Sequence, residues 1–333
     1  MLPIDFVYLW CDGSDPKFIN EKKARLKNQT LQPSSDNIDE LRYTQFNELK
    51  YSLRSIHTYA PWYRYIFIVT NNQRPAWLKN HDKIKIIDHK DIIPQEVYPT
   101  YSSICIEMYL DKIPGLSENF VYANDDMLLN RKIEPQDFFS PDGKPIVWFH
   151  KVSQTLPRLI DVEHQLQDIQ DTGWNQTVRR AWVLFCKKNN TLVPLESPAH
   201  SMDAYNLSMF RSTIEKYPEI LQLNSSPIRT GHEVSRILFS YEMVHVYKCE
   251  LRFNPKSNFI NRLLTHLFPL DTYAVVRSNP SKLERDLKIM KPKTFCINNL
   301  TEKDSAKAIA FLEKKIPSRC TMGSITTRPL FRK

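Results

Sequence analysis

Two adjacent carboxylates, Asp125 and Asp126, follow Asn124 at the end of the short apolar run at residues 120–123. Such a pair on a turn presents hard oxygen ligands to Mg²⁺ or Mn²⁺, and the ion can bridge the phosphates of a nucleotide donor. The same residues could equally serve as a helix cap beside a solvated acid. Their place after a buried strand favours the metal. A second acidic turn, Asp12-Gly13-Ser14-Asp15-Pro16, follows the apolar run at residues 4–10. Gly13 relieves a tight turn there, leaving Asp12 and Asp15 to meet a base, a ribose or a metal, or to close an ordinary Asx turn. Farther along stand Glu107, His200 three residues before Asp203, and Arg229 after Ser225-Ser226-Pro227. A histidine beside an acid can act as general base or phosphate contact, and a guanidinium can clamp a phosphate through paired N–H donors. Taken singly, each has a plainer reading: a helix acid, a satisfied surface histidine, a surface salt bridge.

These side chains need a scaffold, and the hydrophobic pattern supplies one. Residues 4–10, 65–70, 84–88 and 120–123 read as strands, and residues 49–59 and 103–112 as helices, stopped by Pro61 and by Pro114-Gly115. Alternation of this kind implies an α/β layer with a mostly parallel sheet over residues 1–150. Ligands of such sheets bind beyond the carboxyl ends of the strands, where Asp12, Thr70-Asn71-Asn72, Asp88-His89-Lys90 and Asp125-Asp126 all fall. Residues 151–260 read as a mainly helical insertion or lobe, with helices near 175–189, 206–216 and 231–242, lending His200 and Arg229 to the site. Residues 261–333 read as a segment packing on the core through an amphipathic helix (Ala308, Ile309, Leu312, Ile316), followed by a basic tail.

Composition narrows the chemistry. The chain of 333 residues has only 6 glycines, and neither GxxxxGK[ST] nor GxGxxG occurs, so phosphate must be met by Arg, Lys, His or a metal. Six widely spaced cysteines form no CxxC or Cys/His motif, which fits a reducing compartment and argues against structural zinc. No basic leader or membrane-spanning run is evident, so a cytoplasmic protein is expected. Residues 277–333 hold 14 basic and 5 acidic side chains, an excess equal to the net charge of +9. That end is either a solvated face or a surface for anionic membrane, such as the inner face of the cytoplasmic membrane, or for a polyanionic product. Nucleic acid is not expected, since no binding motif accompanies the charge.

Taken together, these stretches resemble the Stealth family, which includes bacterial capsular polysaccharide phosphotransferases and the GlcNAc-1-phosphotransferase that marks lysosomal enzymes. One block is Ile4-Asp5-Phe6-Val7-Tyr8-Leu9-Trp10-Cys11-Asp12-Gly13-Ser14-Asp15-Pro16. A longer one runs from Glu48-Leu49-Lys50-Tyr51-Ser52-Leu53-Arg54-Ser55-Ile56 through Ala60-Pro61-Trp62, Ile66-Phe67-Ile68-Val69-Thr70, Pro99-Thr100-Tyr101-Ser102-Ser103 and Glu107 to Asn124-Asp125-Asp126-Met127. Weaker blocks surround His200 and Arg229, and Phe295-Cys296-Ile297-Asn298-Asn299. Gln45 and Asn299 depart from the family's acids, which leaves no carboxylate role at those positions.

The resemblance implies a nucleotide-sugar transferase-like fold of the GT-A/Rossmann type. It also implies transfer of hexose-1-phosphate from a UDP-hexose or UDP-N-acetylhexosamine to a hydroxyl of an oligo- or polysaccharide, with release of UMP. Glu107, Asp126, His200 and Arg229 align with the family's essential acids, His and Arg. On this reading Asp125 and Asp126 hold Mg²⁺ or Mn²⁺, while Asp12, Gly13, Arg42, Arg54 and Asn124 bind the donor. His200 is base, nucleophile or phosphate contact. Two alternatives belong to other classes: a conventional metal-dependent glycosyltransferase releasing UDP, and a non-catalytic polyanion-binding protein.

Overall fold

The structure, a computed structural model, describes residues 3–27, 46–150, 156–166, 173–255, 260–261, 263–264, 271–297, 300 and 302–316. Up to residue 150 it contains β1 (Ile4–Leu9), α1 (Pro16–Leu26), α2 (Glu48–Tyr59), β2 (Ile66–Thr70), β3 (Ile84–Asp88), α3 (Ser103–Glu107), β4 (Asn119–Asn124), β5 (Met127–Leu129) and β6 (Ile146–His150). Next come α4 (Leu159–Gln165), α5 (Trp174–Lys188), β7 (Ser197–Pro198), β8 (Asp203–Asn206), α6 (Leu207–Lys216), α7 (Glu219–Leu223) and α8 (Ile237–His245). Then follow β9 (Glu250–Phe253), β10 (Ala274–Arg277), α9 (Pro280–Met290), β11 (Thr294–Ile297) and α10 (Glu302–Lys315).

The main sheet has the order β3-β2-β1-β4-β8; β1 to β4 run parallel and β8 is antiparallel to β4. This is the mixed α/β architecture with a mostly parallel sheet expected from the alternation of elements. Strand β1 lies at its centre with all six residues buried, as its mostly apolar run requires. Its one acid, Asp5, is fully buried and accepts hydrogen bonds from Arg64 Nε (2.9 Å), Tyr65 N (3.0 Å) and Ser117 N (2.8 Å). These bonds tie together the amino ends of β1, β2 and β4. The carboxyl ends of the parallel strands consequently share one edge, and the polar clusters that follow them meet there.

Local chemistry explains the flanking elements. Asp15 caps α1 through Lys17 N, with Pro16 in the first turn. Helix α2 fastens the hairpin of β4 and β5: Ser52 Oγ donates to Met127 O, and Leu129 N donates to Ser55 Oγ at 2.9 Å.

Other expectations need correcting. The helix expected at 103–112 is broken into α3 and a 3-10 turn at Leu110–Lys112. The helix expected at 231–242 begins only at Ile237. Gly231 takes φ 82°, and the Glu233 carboxylate accepts from Thr230 N and Gly231 N (2.8 Å for the latter), closing a turn in place of helix. Nor does residue 150 mark a break in packing. Strand β8 completes the main sheet, α5 and α8 share a core with β1 and β4, and β11 pairs with β5 in a second sheet, β10-β11-β5. A third sheet, β7-β6-β9, carries the chain toward His200. Among the described residues no helix is long and apolar enough to cross a membrane. Arg42, Gln45, Asn298-Asn299 and the tail at 321–333 lie outside the described residues.

Candidate active site

Asp125 and Asp126 occupy the turn between β4 and β5, at the carboxyl edge of the main sheet. Strand β11 packs against this turn: Ile297 N donates to Asp126 O at 3.1 Å, and the register sets Cys296 opposite Met127. The Cys296 thiol therefore reaches the aspartate and donates to Asp126 Oδ2 at 3.1 Å. Asp126 Oδ1 is buried without a hydrogen-bond partner among the described residues. Burial, and next the charge of Asp125, push the Asp126 carboxyl up to about 7. Glu48, at the start of α2, is also pushed up to about 7 by burial and by Asp125, although Phe46 N donates to its Oε2. Carboxylates that raise one another's proton affinity form a negative pocket that a cation would relieve. The residues at Asp125 and Asp126 thus fit the hard cation expected there, and the orphaned oxygen is the observation that supports the fit.

His200 reaches the same point from the third sheet. After β7 pairs with β6, the chain turns at His200 with φ 47°. A ring nitrogen of His200, Cys296 Sγ and a carboxylate oxygen of Asp126 all lie within 4.8 Å of one another. Nε2 of the half-buried His200 has no hydrogen-bond partner among the described residues. Burial first, then Arg236, hold the imidazole below its usual range, which outweighs the opposing pull of Asp203. The ring is accordingly neutral at neutral pH and able to accept a proton. Asp203, expected beside His200 as a partner acid, is instead ion-paired with Arg236.

Glu107 is not the surface helix acid that its position allowed. Tyr122 Oη lies 2.9 Å from both Glu107 Oε1 and Asn124 Oδ1, and its single proton serves one at a time. Arg236 Nε sits 3.6 Å from Glu107 Oε2, and its guanidinium covers the Tyr122 ring at 4.7 Å from the centroid. Arg236 Nη1 also donates to Asp203 Oδ2 and to Tyr205 Oη, the latter at 3.0 Å. The pairing of β8 with β4, with Asp203 opposite Tyr122, builds this cluster. Burial raises the Glu107 carboxyl, against the pull of Arg236 and then Arg229. Arg229 itself bonds to Ser103 Oγ at the start of α3, because Tyr101 N donates to Pro227 O (2.7 Å) and docks its loop there.

Of the expected donor-binding residues, Asp12 closes the Asx turn: its Oδ1 accepts from Ser14 N (2.9 Å) and Ser14 Oγ (2.6 Å). Gln73 Nε2 ties Asp12 O to Asp15 Oδ2, at 3.0 Å each. Gly13 is not among the glycines of positive φ, so its turn needs no left-handed backbone. Asn124 points at Tyr122, linking the acidic turn to Glu107. Arg54 departs from its expected role. Its guanidinium faces α10, pairing with Glu313 at 3.1 Å and lying 5.4 Å from the Tyr51 ring centroid.

Glu48, Tyr122, Arg236 and Cys296 are the site residues that sequence reasoning missed. Arg236 had a signal, a lone cation directly before the apolar run Ile237-Leu238-Phe239. Cys296 had none, since the residue it meets lies 170 positions away.

With this geometry in view, the comparisons define the class. Residues 2–30 match Stealth protein conserved region 1, and residues 42–147 match conserved region 2. The chain thus carries two conserved regions of the Stealth family, over residues 2–30 and 42–147. It is similar to an exopolysaccharide phosphotransferase of Lactiplantibacillus plantarum, at 45% identity over 143 residues, covering 43% of this chain and 41% of that protein. A capsular polysaccharide phosphotransferase of Haemophilus influenzae is 43% identical over 145 residues, covering 43% and 39%. Another, from Actinobacillus suis, is 32% identical over 243 residues, covering 70% and 61%. The matched stretch thus spans about two fifths to three fifths of these relatives' own lengths.

Proposed function

We propose that this chain transfers hexose-1-phosphate from a UDP-hexose or UDP-N-acetylhexosamine to a sugar hydroxyl of a capsular or other surface polysaccharide. The observation that carries the proposal is the convergence of Asp126 and His200 on one point, beside a buried Glu107–Arg236 pair, in a chain whose relatives are named polysaccharide phosphotransferases. In the reaction, the acceptor oxygen attacks the β-phosphorus and forms a phosphodiester. The phosphoanhydride bond breaks, and UMP leaves with its electron pair. The acceptor proton passes to His200, whose ring burial keeps neutral. Asp125 and Asp126 would hold Mg²⁺ or Mn²⁺, which when bound supplies charge neutralisation on the donor phosphates. Arg229 lies beside Glu107 at the start of α3, where it stabilises charge on the phosphoryl oxygens. Arg236 and Tyr122 fix Glu107, and the Asx turn at Asp12 flanks the nucleoside side of the edge.

The deciding experiment incubates the protein with a panel of UDP-sugars, Mg²⁺ and capsule or lipooligosaccharide acceptors, followed by phosphorus NMR. A new phosphodiester with free UMP is expected. Release of UDP, with a glycosidic product, would overturn the reading in favour of ordinary glycosyl transfer.

A further inference from the structure

Asp126, His200 and Cys296 make a donor set that a magnesium site does not need. One is a carboxylate, one an imidazole and one a thiol, delivered by the β4–β5 turn, the corner after β7, and β11. All three elements are held by strand pairing, so their backbones are fixed with respect to one another. A tetrahedral zinc ion bound at roughly 2.0–2.3 Å needs its donors roughly 3.3–3.6 Å apart. Here Cys296 Sγ and Asp126 Oδ2 are 3.1 Å apart, and no separation within the trio exceeds 4.8 Å. Side-chain rotation of little more than about 1 Å would close the set. A second observation points to a ligand: Asp126 Oδ1 and His200 Nε2 are both buried without hydrogen-bond partners among the described residues. Thiolate and imidazole donors disfavour Mg²⁺ and suit borderline transition-metal ions.

We propose that Asp126, His200 and Cys296 form a binding site for a borderline transition-metal ion, with zinc as its ligand. Three protein donors leave a fourth tetrahedral position for water or a phosphate oxygen. Binding displaces the thiol proton to solvent, and the Cys296–Asp126 hydrogen bond gives way to coordination. Asp126 cannot serve this ion and a hard cation beside Asp125 in the same way, so the two compete. Where the transfer reading above also holds, zinc on the trio withdraws both Asp126 and His200 from the reaction and inhibits it.

The test uses the full chain, reduced and freed of metal by a chelator, titrated with Co²⁺ as a spectroscopic stand-in. One equivalent should give a thiolate-to-cobalt charge-transfer band in the near ultraviolet and intense visible bands of tetrahedral cobalt. Zn²⁺ should abolish both, and an equimolar amount of Mg²⁺ should leave them. Cys296→Ser should lose the charge-transfer band. His200→Ala should keep that band but lose tetrahedral intensity, which serves as the check if the serine variant fails to fold. No charge-transfer band in the parent chain, or an undiminished band in Cys296→Ser, would overturn the proposal, as would displacement by equimolar Mg²⁺. None of these readouts depends on sugar-phosphate transfer, so failure of the metal site and failure of the functional reading are separable. Zinc inhibition of UMP release reports on both together.

Discussion

Arg236 shows how much of the site is electrostatics held by burial. Its guanidinium and the Glu107 carboxylate are almost fully enclosed, at 11% and 7% side-chain exposure, with Asp203 completing the group. Replacing Arg236 by Ala leaves the buried Glu107 and the half-buried Asp203 without their cation, and a loss of about 3–5 kcal/mol in urea unfolding is expected. Lysine should restore only part of this, because one ammonium cannot reproduce a planar guanidinium stacked on Tyr122. Asp126→Asn should lower kcat at least about a hundredfold with the fold intact, read as UMP release against near-ultraviolet circular dichroism. His200 carries a pH prediction. Burial lowers its pKa from the ordinary 6.5, so the neutral base survives into acid. The acidic limb of kcat/KM should therefore lie below 6.5, and a midpoint at or above that value would contradict a base role for this ring.

Helix α2 faces two ways. Toward the site, Ser52 and Ser55 pin the hairpin that presents the acids; away from it, Tyr51 and Arg54 bind Glu313 of α10. Arg54 should therefore behave as a structural residue. Arg54→Ala and Glu313→Ala should show a coupling of about 1 kcal/mol in a double-mutant cycle, while the KM for UDP-sugar stays unchanged. At this scale the strands were legible in the sequence. Residues 4–9 and 66–70 are buried throughout and read as mostly apolar runs, and the carboxyl end of the first locates the acidic turn at Asp12. The start of helix α8 is not legible because the turn made by Gly231 and Glu233 has no helical or strand period to betray it. Proximity in sequence pairs Asp203 with His200, whereas β8 turns it toward Arg236. Cys296 is hidden because its role depends on strands far apart in the chain, and no local pattern encodes that; Arg236 is marked only by its charge before an apolar run.

For the molecule as a whole, the three segments expected from the hydrophobic pattern interlock. Strand β8 covers the edge of β4, and β11 covers β5, so neither piece has a complete core alone. A fragment of residues 1–150 is expected to lack fixed side-chain packing, with weak near-ultraviolet circular dichroism and an uncooperative melt. The paired acids give the intact chain a pH signature. Glu48 and Asp126 are raised to about 7 in the fold from ordinary values of 4.5 and 3.8, so the metal-free fold binds more protons than the unfolded chain between those limits. Their contribution to stability is therefore greatest below the ordinary values and declines as pH rises through about 7. A divalent cation should reverse the decline, and Mg²⁺ should raise Tm more at about pH 8 than at about pH 6. Equal increments at both would show that these carboxyls do not meet the ion. The β5–β11 pairing also bears on synthesis. Asp126 and Cys296 are joined across 170 residues, so a chain leaving the ribosome carries its acidic turn long before the strand that closes it has emerged. Until that strand arrives the acidic turn lacks its β11 partner, so a chain cut short before residue 294 cannot complete the pairing.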